Sequence, residues 1–413
     1  MSARHPTMLL RPGALRNRRF RRARHGVVAL LAVWMLVIFL LMTAWVLNYN
    51  FLVLVNRNMQ QKCDAIALAA APALLDEDLL RDYPGPAIPY QTDDFAEAVT
   101  IAEQYRQWNN QGQAKAFEVR SDDMQVQSGF VPDISGCTPY QFDTSIPLDE
   151  PFPLHNTLRV RSQRPAKGNH PVRFVLDLFH GGSGRRAADV SSSGCATLDN
   201  LLVGFKPRPT AASPVMPLGI DLAAWKTERS GGSDGNANQI REIVLRLDTP
   251  DPEASDANAA LLFFDDTLDV SVLRPQMALG LFPEDLPPDG TLGPVTDAMP
   301  LSVLAMRRVD LGAYPNLNAE LALLLNDLAK DGEAQRVFPV YESFADANQD
   351  GVGSVRLVGF VAASVLFAGV VDDRLTVTVE PCFIIHHTAW TVGADHPCEP
   401  QRNRYVHKLR LSR

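Results

Sequence analysis

Hydrophobic and polar positions divide this chain sharply. From Gly26 to Asn56 no side chain is charged, and the run Val27 to Leu47 holds only apolar residues and one threonine. A helix crossing a hydrocarbon core of about 30 Å needs about 20 such residues, because an unpaired amide in lipid costs several kcal/mol. The run therefore predicts a membrane-spanning helix. Helical spacing continues beyond it: Val55, Met59, Cys63, Ile66 and Ala70 recur at steps of three and four, and helix-forming alanines crowd Ala65 to Ala71. Pro72 is the first residue that cannot extend the helix. A helix from Gly26 to Ala71 spans about 70 Å, of which about 30 Å fits in lipid, so the outer part predicts a stalk.

Past the stalk the pattern turns to shorter periods. Phe95, Ala98, Val99, Ala102 and Tyr105 form one apolar helical face, and Leu317, Leu321, Leu324, Leu325 and Leu328 form another, with Asn316 or Asn318 placed to cap it. Strand-like runs lie at 157–160, 172–179, 243–247, 259–264, 337–341, 355–371 and 375–379. Pro339 marks the fifth of these as an edge strand, since proline has no amide to donate. The fold class expected is α+β: one N-terminal transmembrane helix extended as a stalk, then a strand-rich extracytoplasmic region with a few short helices. A proline-rich break at Lys206–Pro217 predicts a linker. The expected parts are a basic head (1–25), the transmembrane helix and stalk (26–75), a first ectodomain (85–205), and a second, β-rich ectodomain with one amphipathic helix (218–413).

Charge fixes the expected topology. Eight arginines and no acid precede Gly26, whereas the far flank has Arg57 and Lys62 before the acidic group Asp76, Glu77 and Asp78. The positive-inside rule places the N-terminus in the cytoplasm and the rest in the periplasm or beyond the inner (cytoplasmic) membrane. The apolar run exceeds a signal-peptide core, and no small-residue cleavage site follows it closely, so it reads as an uncleaved anchor. The chain carries 39 Lys and Arg against 47 Asp and Glu. Without the eight head arginines, 31 cations face 47 acids, a net charge of −16 over residues 26–413. Such a surface argues against nucleic acid as a partner, which demands cations for its phosphates.

Five cysteines in an exported chain suggest disulfides with one residue left over. Cys137 with Cys195 and Cys382 with Cys398 are the pairings expected, although spacing alone does not fix connectivity. Cys63 then remains, either as a link between two copies at the membrane or as a buried small hydrophobe.

The segment NRNMQQKCDAIALAAAPAL, following an arginine-rich head and an apolar run, resembles the N-terminal signature of the TadE/TadG-like proteins of the Flp (tight-adherence) pilus assembly system. Their pattern is R-x-L-Q-x-A-A-D-A-A-A-L-A-A, and Arg57, Gln60, Asp64, Ala65, Ala67, Leu68, Ala69 and Ala70 match it. Phrases such as VRFVLDLFHGGSG, SPVMPLGID, NAALLFFDD and RVFPVYESF resemble landmarks of the large, TadG-like form. The resemblance implies a non-enzymatic component that assembles or anchors a Tad-type pilus or related surface structure. It also implies other Tad/Flp assembly proteins as partners; self-association through the stem helix or Cys63 is a separate expectation, from the small-residue run and the unpaired cysteine. Lys62, Cys63 and Ile66 depart from the pattern, standing where it has alanine. Leu31 stands where processed prepilins carry glutamate, so processing at Gly26 is not expected.

Three local patterns carry candidate chemistry. His180–Gly184 (HGGSG) follows a strand, as an oxyanion loop would, but Arg185 occupies the glycine position that a nucleophile elbow needs, leaving a hairpin loop. Asp346, Asn348, Asp350 and Gly351 open like a calcium loop, while position twelve is Leu357 in place of the bidentate glutamate. Cys382, His386, His387, His396 and Cys398 have metal-ligand character, yet in an oxidising compartment the cysteines pair, and consecutive histidines on a strand point to opposite faces. No cofactor is expected beyond calcium at that loop. The competing function class is a membrane-anchored extracytoplasmic enzyme or a ligand- or calcium-binding module.

Overall fold

The computed structural model describes residues 16–75, 80, 92–132, 142–145, 155–168, 170–175, 187–230, 240–247, 257–265, 268–296, 299–306, 316–330, 334–345, 352–372, 374–393 and 402–412. The chain is an α+β protein, with one long apolar N-terminal helix followed by a strand-rich region carrying a few short helices.

Helix α1 (Arg16–Ala70) runs unbroken through the apolar stretch and ends where Pro72 enters a 3-10 turn, Ala71–Leu74. Its 55 residues make it about 82 Å long. Between Val27 and Leu47 its large side chains stand bare, with Trp34, Phe39, Met42 and Trp45 at 63–68% exposure. This helix is long and apolar enough to cross a membrane. From Phe51 onward its surroundings change, and Val55, Met59, Cys63, Ile66, Ala67 and Ala70 are fully buried. These are the positions that the three-and-four spacing puts on one face.

That face lies on a five-stranded sheet. In chain order its N-terminal strands are β1 (Met124–Gly129) and β2 (Thr157–Arg164), then, past the short hairpin β3 (Val172–Arg173) and β4 (Ala187–Ala188), β5 (Val190–Asp199). The remaining strands are β6 (Leu202–Phe205), β7 (Leu218–Asp221), β8 (Ile243–Arg246), β9 (Ala259–Phe263), β10 (Leu301–Met306), β11 (Gln335–Ala345), β12 (Val352–Val371), β13 (Arg374–Pro381), β14 (Ile384–Ile385), β15 (Ala389–Thr391) and β16 (Val406–Ser412). The first sheet has the order β1-β2-β5-β16-β14, antiparallel except for β14 on β16. Alternation makes Leu158 and Val160 of β2, and Ala196 and Leu198 of β5, the floor beneath α1 and α2 (Thr92–Asn110).

The second sheet has the order β10-β9-β7-β11-β12-β13-β8, and β10 also pairs with β12. Strands β10, β9, β7, β11 and β12 thereby close into a ring, with Leu218, Ile220, Phe263, Phe338 and Tyr341 buried. Helix α5 (Leu317–Lys330) packs Leu321 and Leu325 into the same core, joined along the chain by the shorter α3 (Leu222–Ser230) and α4 (Leu273–Leu279).

The structure departs from the sequence expectation at three places. Strand β11, which contains Pro339, is central and not an edge. Its parallel partner β7 pairs with it only at Val340 and Tyr341, so a missing amide at 339 interrupts a short ladder only. The segment Lys206–Pro217 is no free linker: Val215 and Met216 are fully buried, the amide of Met216 donates to the Val337 carbonyl at 2.8 Å, and Pro214 accepts from the Val337 amide at 3.0 Å. Its prolines lose donors but keep carbonyls: Pro214 serves β11, and Pro217 accepts from the Leu262 amide of β9 at 3.0 Å. Nor do the two halves separate in sequence, since the C-terminal strands β14 and β16 complete the first sheet and β15 pairs with β6.

Candidate functional site

The N-terminal signature residues all sit on the C-terminal half of α1, and most of that half is built into the strand-rich body. Helix and sheet approach unusually closely where α1 crosses β5. The strand offers Ser192, Gly194 and Ala196 on the helix side. A Cβ on Gly194 would lie 2.4 Å from the Cys63 carbonyl carbon and 2.5 Å from the Asp64 nitrogen, so the helix backbone rests directly on the strand backbone.

Polar groups fix the register of this contact. Gln60 donates to Asp64 Oδ1 and to the Ser193 carbonyl, both at 2.8 Å, and accepts from the Ser193 amide at 3.4 Å. Ser192 Oγ donates to Asn56 Oδ1 at 3.0 Å. Lys62 Nζ reaches sideways to Asn110 Oδ1 at 3.0 Å and to the Phe117 carbonyl at 2.7 Å. Asn110 also accepts from the Val119 amide at 3.0 Å, so one lysine ties α1 to the end of α2 and the chain leading to β1. Of the signature positions, Asp64, Ala67 and Ala70 are buried, Gln60, Ala65, Leu68 and Ala69 are half-buried, and Arg57 is exposed.

The three departures from the alanine pattern, Lys62, Cys63 and Ile66, are all buried. Cys63 and Ile66 share one apolar cluster with the small residues Ala196 of the sheet and Ala98 and Ala102 of α2, whereas Lys62 reaches past it to Asn110 and Phe117. The alanine run read as a surface for other subunits is therefore partly consumed within the chain, where Ala67, Ala70 and Ala71 join the same cluster as Ala98 and Ala102. Cys63 is fully buried, with Sγ 3.9 Å from the Ser192 carbonyl, so a disulfide between copies through it is excluded while the fold is intact. Comparison with protein-family models, curated proteins and solved structures returns no match.

The remaining sequence candidates fare as follows. Cys195 and Cys382 are free thiols, and their expected partners Cys137 and Cys398 lie outside the described residues, as does His396. Burial pushes the Cys382 thiol up to about 12, out of the reactive range. His386 and His387 do not diverge as strand neighbours would. They lie in a turn after β14, with rings stacked 4.5 Å apart. His386 Nδ1 lies 2.7 Å from Thr388 Oγ1, and burial, followed by the neighbouring His387, lowers its pKa to about 4. Among the described residues no group of three His, Cys, Asp or Glu side chains is placed to hold a metal. Asp346, Asn348 and Asp350 lie outside the described residues, as does the HGGSG loop. Position twelve of the calcium pattern is described: Leu357 is fully buried in β12, opposite Leu301 and Tyr341. A core position supplies no ligand.

A second buried polar knot escaped the sequence reading. Asp199, at the end of β5, accepts from Thr391 Oγ1 at 2.5 Å and pairs with Arg410 Nε at 3.2 Å. Burial raises its carboxyl pKa, opposed by Thr391 and Arg410. It joins β5, β15 and β16, and so holds the C-terminus to the first sheet.

Proposed function

We propose that this protein is a non-enzymatic, membrane-anchored component resembling the TadG-like proteins, acting in the assembly or anchoring of a Tad-type pilus or related surface structure. In this reading it spans the inner membrane once, with its arginine-rich head in the cytoplasm and its ectodomain on the periplasmic side. One observation supports it: Gln60, Ala67 and Ala70 lie on the same helix as the run long and apolar enough to cross a membrane, and they join that helix to the first sheet. A displacement of the membrane segment is thus passed to the ectodomain through a packed, hydrogen-bonded joint, which suits a part that positions others. The bare apolar surface from Val27 to Leu47 remains available for lipid or for neighbouring membrane helices. With leucine at position 31, the anchor stays attached.

The test is to recover the tagged full-length protein from gently solubilised membranes and identify what accompanies it. Pilus secretion components are expected. Repeated recovery of none, together with hydrolytic activity in the purified protein, would overturn the proposal in favour of an anchored enzyme.

A further inference from the structure

One end of the first sheet lies beside the apolar run, and strand direction fixes which end it is. Strand β5 runs alongside α1: Ser192 meets Asn56 at 3.0 Å, Gln60 meets the Ser193 carbonyl at 2.8 Å, and Ala196 and Leu198 share a cluster with Ile66 and Ala70. The start of β5 is therefore its end towards the run. Strand β2 is antiparallel to β5 and sets its last residue, Arg164, opposite Val190. The turn at 165–168, where the Gly168 amide donates to the Pro165 carbonyl at 2.9 Å, thus lies at that end. So does β3, since Val172 and Val190 pack with Val55, Phe51 and Leu52. Residues 111–118 arrive there as well: the Phe117 ring meets Phe51 at 6.2 Å, and Arg164 donates to the Ala116 carbonyl at 2.7 Å.

The surface at this end is mixed in character. Trp45 and Tyr49 stack with ring centroids 6.0 Å apart and stand exposed where the apolar run gives out, the level at which aromatic side chains collect on spanning helices. Leu54 and Val175 are 56% and 58% exposed. Lys115, Lys167 and Arg173 are exposed beside them, and among the described residues none of the three is paired with a carboxylate. Acids share this end, however: Glu118 is held by Arg120 at 3.6 Å, Asp189 accepts from the Ala166 amide at 2.6 Å, and Asp122 is exposed. Position, not net charge, therefore selects the occupant. Val55, against which β3 packs, lies six helical steps beyond Tyr49, or about 9 Å. The head-group layer on each side of the hydrocarbon is about 5–7 Å deep, a gap that lysine and arginine bridge with apolar stems and charged tips.

We propose that this end of the first sheet rests among lipid head groups, with Lys115, Lys167 and Arg173 reaching the lipid phosphates. The seat is continuous with the bare apolar surface of α1, and the inference rests on the reading that residues 27–47 cross the membrane. The test reconstitutes the full-length protein into vesicles of phosphatidylcholine and phosphatidylglycerol carrying a photo-crosslinking phospholipid, activated either in the head group or in the acyl chain, and maps the adducts by mass spectrometry. Head-group adducts are expected on residues 111–118 and 165–175, and none on β12. The variant Lys115→Gln/Lys167→Gln/Arg173→Gln should lose most of them at an unchanged melting temperature; should it fail to fold, Lys115→Gln and Lys167→Gln singly carry the test through a reduced yield on their own segments. Acyl-chain adducts on residues 27–47 report the span separately. With those present, absence of head-group adducts from both segments, or undiminished yield in the folded variants, overturns this inference alone. Their absence from 27–47 overturns the spanning reading with it.

Discussion

The contact between Gly194 and α1 yields the sharpest prediction. In Gly194→Ala the new methyl would sit 2.4 Å from the Cys63 carbonyl carbon and 2.5 Å from both the Cys63 oxygen and the Asp64 nitrogen. Carbon pairs pack at about 3.5–4.0 Å, so helix and strand must part by about 1 Å. Every opposing atom is backbone, and no rotamer change relieves the clash. Separation would also stretch the Gln60 bonds to Ser193 and the Ser192 bond to Asn56. Overpacking typically costs about 1–3 kcal/mol, and the rigid surroundings place this site at the upper end, about 3 kcal/mol. The assay is thermal and denaturant unfolding of the full-length protein in micelles, compared with Ser193→Ala, whose side chain is exposed on the neighbouring position. The alanine at 194 should lower the unfolding midpoint by several degrees, and Cys63→Ala should not restore it. If the 193 and 194 variants melt together, the close helix–strand contact is not a determinant of the fold.

Four further outcomes follow from the same structure. Burial holds the His407 pKa down to about 4 from 6.5, so an unfolded chain takes up a proton that the folded one refuses. His407 should contribute about 3 kcal/mol of stability that is full above about pH 6.5 and lost toward pH 4; because His386 titrates in the same window, His407→Asn should make the slope shallower without abolishing it in denaturant titrations, and an unchanged slope refutes the assignment. Cys63 should resist maleimide labelling until the protein unfolds, and a Cys63-dependent dimer on a non-reducing gel would contradict its burial. Trypsin should spare Lys62 in the native state, whereas release of an ectodomain cut there would show a free stalk. Excess chelator should leave melting temperature and protease resistance unchanged, since Leu357 occupies the position of the twelfth calcium ligand.

How far the sequence could be read depended on what each residue was selected to do. The long helix was legible because lipid and protein core both demand apolar side chains, and their spacing survives in the letters; α1 stops at Ala70, beside the expected proline. Strands β2, β8, β9, β12 and β13 announced themselves through β-branched and apolar alternation. Strand β5 did not. Its residues VSSSGCATLD are small because a helix backbone lies across them, so the strand at the centre of the first sheet looks like a loop in composition. Likewise Asn110 and Asp199 gain meaning only from partners 48 and 192 positions away. The return of β16 to the first sheet is invisible for the same reason: strand order is a property of long-range pairing that local propensity does not encode.

The outer half of α1 consequently changes role. As a stalk it would hold the ectodomain some 35 Å above the lipid, given residues 48–71 at 1.5 Å each. Instead, packing against protein starts at Phe51 and Leu52, which join Phe117 and Val119 in one cluster. Phe51 lies four helical steps beyond Leu47, or about 6 Å of helix. The folded body therefore begins about 6 Å of helix beyond the apolar run, and the helix that carries that run is also the element over which its first sheet is built. Removing the stem would strip the cover from Leu158, Val160, Ala196 and Leu198, exposing an apolar sheet face. The apolar helix and the strand-rich body are in this sense one folding unit, and Gln60, Ala67 and Ala70 lie at the seam between them.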